Sequence, residues 1–306
     1  MALTGVLRPG HIQIRVLDLD EGVHHYRDVL GLEETGRDAS GRVYLRGWDE
    51  RDHHSIILRQ ADRAGMDFFG FKVDSEATLA KLERDVQAWG LKTERIPAGD
   101  LLETGERVRF EIPSGHQIEL YATKTFAGCD RGEKDPSHYS PKMDKGIAPM
   151  RFDHALLYGP NVDKVLDLFT NVLGFHLAEY VTLPDTDIKG ALWLCCSNKA
   201  HDIAFVEHPE PGKLHHVSFY MESSSASSAP PTSWPPTTSR STSARPATAS
   251  PAAAPSTPGI RRATASRRTP GRLAPYPDWG PIRWDWKAWV KAAASTSPPR
   301  VCTRPS

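Results

Sequence analysis

The spacing of apolar and polar positions divides the chain into two unlike parts. Up to residue 222 it alternates between strand and helix periods. Residues 11–19 (HIQIRVLDL) alternate with period two, as a half-buried strand does. Residues 21–30 carry apolar positions at helical spacing, and Gly31 suits a helix C-terminus. Residues 42–48, 55–59 and 70–73 read as further strands. Residues 77–90 read as a helix with Leu79, Leu82, Val86 and Trp89 on one face and Gly90 ending it. Residues 107–112 and 117–121 form a predicted hairpin around Pro113-Ser114-Gly115. Residues 125–149 are polar, rich in Gly, Pro, Lys and Asp, and read as a linker.

The pattern then restarts. Residues 154–158, 191–196, 203–206 and 216–220 read as strands, and residues 161–173 as a helix ending at Gly174. His11 precedes Gly31 by 20 residues and His154 precedes Gly174 by 20. Both glycines lie in Val-Leu-Gly followed by an apolar residue, and Tyr26 and Phe169 hold the same offset. An internal duplication is the simplest reading.

From Ser223 to Pro275 the pattern stops. There, 48 of 53 residues are Ser, Thr, Ala, Pro or Arg, with no acidic residue, Phe or Tyr. Such a segment buries too little apolar surface to offset an ordering cost of about 1–2 kcal/mol per residue. Charge shows the same boundary. The 306 residues carry 38 basic and 38 acidic side chains, but residues 1–222 hold 26 and 36, and residues 223–306 hold 12 and 2. The neutral total is a −10 body joined to a +10 tail.

Three readings of the tail compete: a disordered basic extension, a polyanion-binding arm, and a slipped reading frame. We favour the third. Residues 241–251 (STSARPATASP), read one nucleotide earlier, permit [I/V/L/F]-D-I-G-P-T-R-H-G-L-T. Residues 259–267 (GIRRATASR) permit R-D-P-S-G-N-R-V-E, which contains the P-S-G-x-x-x-E that the first half carries in frame from Pro113 to Glu119. The shifted His codon straddles Ala247 and Thr248, and the shifted Glu codon straddles Ser266 and Arg267.

No apolar run approaches the ~20 residues that span a bilayer, and the first residues lack a secretory pattern. Four cysteines without framework spacing fit a reducing, cytoplasmic compartment. The acidic body argues against nucleic acid as a partner.

Several motifs together resemble a known family. RPGHIQIRVLDL, GRVYLRGW, GMDFFGFKV, RVRFEIPSGHQIELY, RFDHALLYG, DLFTNVLGFHLAE, KAHDIAF and LHHVSF are similar to extradiol ring-cleaving enzymes of the catechol 2,3-dioxygenase (metapyrocatechase) family. The resemblance covers about residues 7–221, with a short return near 276–284. It implies an α+β vicinal oxygen chelate fold with two domains of paired βαβββ modules. The expected divisions are a metal-free domain over 1–124, a linker over 125–149, the start of an iron-binding domain over 150–222, and an out-of-frame, disordered segment over 223–306 that disrupts the last module.

The resemblance also implies a site. The Fe(II) ligands would be His154, His216 and a Glu of the P-S-G-x-x-x-E hairpin; three protein ligands on one face leave positions open for catechol and O₂. That Glu is missing here, with Ser266 and Arg267 where it is expected. His201 would be the acid/base histidine, and His208, His215 and Tyr158 the pocket wall. His11 and Glu119 would be the remnant site of the first half, with about Phe69 in the place of His216. His24, His25, His53 and His54 read as solvated. The implied reaction is extradiol cleavage of catechol to 2-hydroxymuconic semialdehyde by a cytoplasmic homotetramer, with the chain as written binding iron weakly. The rivals are a bicyclic-catechol dioxygenase, a glyoxalase-like isomerase, and a non-catalytic module with a basic disordered tail. The frame reading predicts that independent nucleotide sequencing finds a length error near codon 222; a confirmed, uninterrupted frame through codon 306 contradicts it.

Overall fold

The computed structural model describes residues 4–127, 146–221, 263–266 (backbone alone) and 280–286. Most of the expected linker and of residues 223–306 lies outside the described residues.

Strand β1 (Val6–Val16) leads into helix α1 (Leu19–Val23), followed by β2 (Glu33–Arg37), β3 (Val43–Arg46) and β4 (Ile56–Gln60). The order repeats as β5 (Gly65–Val73), α2 (Glu76–Trp89), β6 (Thr93–Ile96), β7 (Arg107–Glu111) and β8 (Gln117–Tyr121). These are two βαβββ modules. They join through β1 and β5 into one eight-stranded sheet of order β2-β3-β4-β1-β5-β8-β7-β6. The second half contributes β9 (Arg151–Gly159), α3 (Val162–Asp167), β10 (His176–Thr182), β11 (Lys189–Cys195), β12 (Ile203–Glu207) and β13 (Lys213–Tyr220). Two short strands, β14 (Ala263–Ser266) and β15 (Ile282–Asp285), complete a sheet of order β14-β13-β9-β12-β11-β10-β15.

Local chemistry accounts for the helices. Ser75 caps α2 by accepting from the Thr78 amide at 3.2 Å, a device that contributes about 1 kcal/mol. Gly90 ends it at φ 109°, where a Cβ would be strained. Leu79, Leu82 and Val86 form its buried face. The predicted helix over 21–30 departs from the α form. After α1 the turn widens over His24–Val29, with Leu30 N–H donating to His25 O at 2.9 Å. The second half repeats this widening over Leu168–Val172, with Leu173 N–H donating to Leu168 O at 3.1 Å. Gly31 and Gly174 follow with φ of 91° and 74°. The shared wide turn is a structural mark of the duplication.

Strands β2, β6 and β10 are absent from the sequence expectation. They are edge or next-to-edge strands, and β2 and β6 carry Glu, Thr, Arg and Gly with little burial. Within the segment expected to be disordered, two short strands are described: β14 pairs parallel with β13 and β15 pairs parallel with β10. Trp284 Nε1 donates to Glu179 Oε2 at 2.9 Å across that second pairing. Among the described residues no helix is long and apolar enough to cross a membrane.

One apolar core runs through both halves, with Phe69 against Phe152 at 5.5 Å between ring centroids and Phe71 against Phe175 at 5.2 Å. Polar contacts fix the junction. His116 Nε2 donates to Lys213 O at 3.1 Å, and Trp48 Nε1 donates to Ala148 O at 3.0 Å. At the tip of the β7–β8 hairpin, Ser114 packs directly on Gly159, where an added Cβ would run into the Ser114 carbonyl oxygen. Neither backbone can give freely, so Gly159→Ala is expected to lose about 1–3 kcal/mol in urea denaturation; no measurable change would show that this junction is loose.

Candidate functional site

The two central strand pairs place the chemistry. In the second half β9 lies between β13 and β12, with His154 opposite Ser218 and Ala155 opposite Ile203. In the first half β1 lies between β5 and β4, with His11 opposite Gly70 and Ile12 opposite Ile56. Superposing these registers makes His154 the counterpart of His11, His216 of Phe68, and His201 of His54. Ring distances agree: 5.6 Å for His154–His216 and 5.7 Å for His11–Phe68. The residue in the place of His216 is therefore Phe68, not Phe69. Side chains alternate across a strand, so Phe69 faces the core instead.

The second-half site gathers His154, His201 and His216. His154 and His201 are 6% and 7% exposed, with ring centroids 4.2 Å apart. His154 Nδ1 lies 2.7 Å from Asp153 Oδ2. Lys199 Nζ bridges Asp153 Oδ1 and Asp202 Oδ1, each at 3.1 Å. Burial works to raise the Asp153 carboxyl, but the Lys199 charge and the His154 hydrogen bond hold it well below the usual carboxylate range. Burial works to lower Lys199, and its two carboxylate partners instead raise it. From His216 a ring chain leads outward. His215 Nδ1 lies 2.7 Å from His216 Nδ1, Tyr158 is 4.7 Å from His215, and Tyr158 stacks on His208 at 5.7 Å. The expected wall residues thus share one row beside His216.

His154 and His216 are the imidazoles that could hold a metal. Among the described residues no group of three or more His, Cys, Asp or Glu side chains forms a metal site. Among the described residues the donor set is thus two imidazoles without a carboxylate, and it does not fit the three-ligand set that open-sited iron needs. The register bears on the missing ligand. In the first half Glu119 pairs Gly70; in the second Thr264 pairs Ser218. The slot falls on Thr264, two residues before the expected Ser266, which pairs Tyr220 instead; Arg267 lies outside the described residues.

The first half is a filled version of the same arrangement. His11 and Glu119 are both 0% exposed, and His11 Nε2 donates to Glu119 Oε2 at 3.1 Å. Arg107 Nε reaches Glu119 Oε2 at 3.0 Å and Arg109 Nε reaches Oε1 at 2.8 Å. Lys124 Nζ donates to His11 Nδ1 at 2.9 Å, His54 Nε2 at 3.3 Å and His54 O at 3.1 Å. Burial, reinforced by the Lys124 charge, pushes His11 down to about 3, so it is neutral at pH 7. Burial lowers Lys124 to about 7. Burial opposes ionisation of Glu119, but the His11 hydrogen bond and the two arginines hold it down at about 2. The expectation that His54 is solvated is overturned: it is 0% exposed, with its ring 4.7 Å from that of Tyr44. The His-His pair at 53–54 straddles the surface, so only His53 is half-exposed. Its equivalence to His201 shows only once the strands are paired.

Glu119 therefore has a pH signature. Its folded pKa is depressed from 4.5, so its stabilisation is complete above about 4.5 and is lost as pH falls toward about 2. Glu119→Gln leaves the fully buried Arg107 facing a neutral amide. It is expected to lose about 3–5 kcal/mol and to flatten the acid limb of stability between those pH values. An unchanged acid limb in urea titrations would contradict the assignment.

Comparison with known proteins gives a consistent result. Residues 66–125 match the catechol 2,3-dioxygenase-like N-terminal domain family, and residues 151–229 match the glyoxalase/bleomycin resistance protein/dioxygenase superfamily. A metapyrocatechase of Pseudomonas sp. (strain CF600) is 51% identical over 219 residues, 72% of this chain and 71% of the relative. A manganese-dependent 2,3-dihydroxybiphenyl 1,2-dioxygenase of Geobacillus genomosp. 3 is 27% identical over 219 residues, 70% of this chain and 68% of the relative. The structure of the 2,3-dioxygenase LapB from Pseudomonas sp. KL28 superposes with a TM-score of 0.79 at 49% identity, covering 94% of this chain and 99% of that one. Paired βαβββ modules, a histidine cluster in the second half, its filled counterpart in the first and these relatives together show that the chain belongs to the metapyrocatechase (catechol 2,3-dioxygenase) family of extradiol dioxygenases.

Proposed function

We propose that this chain carries the scaffold for extradiol cleavage of catechol, or a substituted catechol, by O₂ to 2-hydroxymuconic semialdehyde in aromatic catabolism. The observation that carries the reading is the convergence of His154, His201 and His216 at the register where the first half is closed by His11, His54 and Phe68. His154 and His216 are the ligands in this reading. The metal is Fe(II); manganese, named for one relative, is the alternative. With a third ligand restored, such a metal would bring catechol and O₂ together and couple them electronically.

The chain's own residues have separate tasks. His201, beside His154, handles the substrate proton; an imidazole suits proton transfer near neutral pH. Tyr158, His215 and His208 form one wall of the approach. The reading places the protein in the cytoplasm as a homo-oligomer, a tetramer in the family, with no nucleic-acid or membrane partner.

The incomplete donor set limits the chain as written. Protein of this literal sequence, verified by intact mass, is expected to hold Fe(II) weakly and to give little or no yellow semialdehyde from catechol. Protein translated with the frame restored after residue 222 is expected to give the yellow product. Strong ring cleavage by the literal chain would overturn the missing-ligand account. Outer-shell partners alone shift metal affinity by about 10–100-fold, so restoring a third ligand should gain more than about tenfold. That gain in Co(II) affinity is expected for Thr264→Glu and not for Ser266→Glu; the reverse result would favour the register read from the shifted codons.

A further inference from the structure

The two equivalent histidines have opposite hydrogen-bond partners. A carboxylate only accepts and an ammonium only donates. His154 Nδ1 faces the Asp153 carboxylate at 2.7 Å. A neutral His154 must then carry its proton on Nδ1, leaving the Nε2 lone pair free. His11 is the reverse. Its Nε2 faces the Glu119 carboxylate at 3.1 Å, which can only accept, and its Nδ1 faces the Lys124 amine at 2.9 Å. Its proton sits on Nε2, and no lone pair there is available to a metal.

The residues that impose this difference occupy matched positions. Immediately before the histidine, the second half has Asp153 and the first half has Gly10, where a Cβ would run into the Tyr121 hydroxyl. No side chain could supply a carboxylate there. Two residues before the second histidine, the second half has Lys199 ahead of His201, and the first half has Asp52 ahead of His54. At the second of these positions the sign of the charge is reversed between the halves.

Lys199 does more than neutralise Asp153. It contacts Asp153 Oδ1 and the Asp153 carbonyl oxygen, so the other carboxylate oxygen is left for His154. It also pairs with Asp202, which is 0% exposed. Asp202 accepts from the Cys196 and Ser197 amides at 2.8 Å each and from Ser197 Oγ at 2.8 Å. Those bonds close the loop that carries His201.

We propose that Asp153 and Lys199 act as a positioning pair that fixes the proton of His154 on Nδ1 and ties the His154 ring to the loop bearing His201. The pair readies Nε2 for a divalent cation, a role that rests on the dioxygenase reading. The tautomer itself does not depend on that reading. The first half shows the converse, with Lys124 and Glu119 holding the equivalent histidine in the form that cannot bind.

The test uses the full chain without metal, labelled with ¹⁵N-histidine, near pH 7.5. Long-range ¹H–¹⁵N correlation reports which ring nitrogen is protonated, and His154 is assigned by the signal lost in H154Q. The expected result is a protonated Nδ1 at His154 and a protonated Nε2 at His11 in the same spectrum. In Asp153→Ala the His154 proton moves to Nε2. In Lys199→Met the single Nδ1–H form is lost, and Lys199→Arg retains it. Unchanged His11 and His116 signals show that the variants remain folded. A wild-type His154 protonated on Nε2 would overturn the proposal without any variant, as would a K199M protein that keeps the wild-type tautomer. A Zn(II) titration of the same proteins separates the two readings. Affinity about 10–100-fold weaker in K199M supports both. An altered tautomer with unchanged affinity supports the positioning pair and counts against the metal site.

Discussion

Everything at the site depends on the register of the central strands. β9 is held antiparallel to β13 and parallel to β12, and each pairing fixes one partner of His154. Because side chains alternate along a strand, a slip of one residue would send His154 or His216 to the opposite face. The buried apolar face of β9 prevents that slip: Phe152, Ala155 and Leu157 lie in the shared core. The site is thus specified by hydrophobic pattern before any polar contact forms. The first half uses the same mechanism with β1, β5 and β4, which is why two sequences with few residues in common arrive at one geometry.

On that common frame, electrostatics decides what each half can do. The first half is closed by groups from its own chain. Arg107 and Arg109 supply positive charge to Glu119, Lys124 fills the space beside His11 and His54, and Phe68 replaces an imidazole by an apolar ring. Buried charges persist only when paired and hydrogen-bonded, and this cluster meets that condition internally. The second half keeps two imidazoles near a third, supported by Asp153 and Lys199. The contrast is between a cluster closed by its own side chains and one that gathers three imidazoles, and it rests on partner chemistry rather than on backbone shape.

Much of the architecture was legible in the sequence. The 20-residue offset from His11 to Gly31 and from His154 to Gly174, with Val-Leu-Gly at each end, exposed the duplication. The repeat correctly related His11 to His154. What escaped was whatever depends on contacts between distant strands. His54 lies next to polar His53, so local pattern reads the pair as solvated; burial comes from Tyr44 on β3 and Lys124 beyond β8. Phe68 and Phe69 are adjacent, and only pairing tells which one faces His11. Lys124 follows the last strand of its half and gave no local sign that it reaches His11. The edge strands β2 and β6 bury little, so they lack the apolar alternation that revealed the others.

The central proposal is that His154 and His216 of the second half are the imidazoles open to a metal and that the first half is sealed. Crystals of this chain soaked in excess Mn(II) or Fe(II) under anaerobic conditions, with anomalous diffraction recorded at the metal edge, test it most directly. The account predicts one peak per chain, in contact with Nε2 of both His154 and His216, and none near His11. A peak bound by His11 and Glu119, or occupancy that avoids His154 and His216, would contradict it.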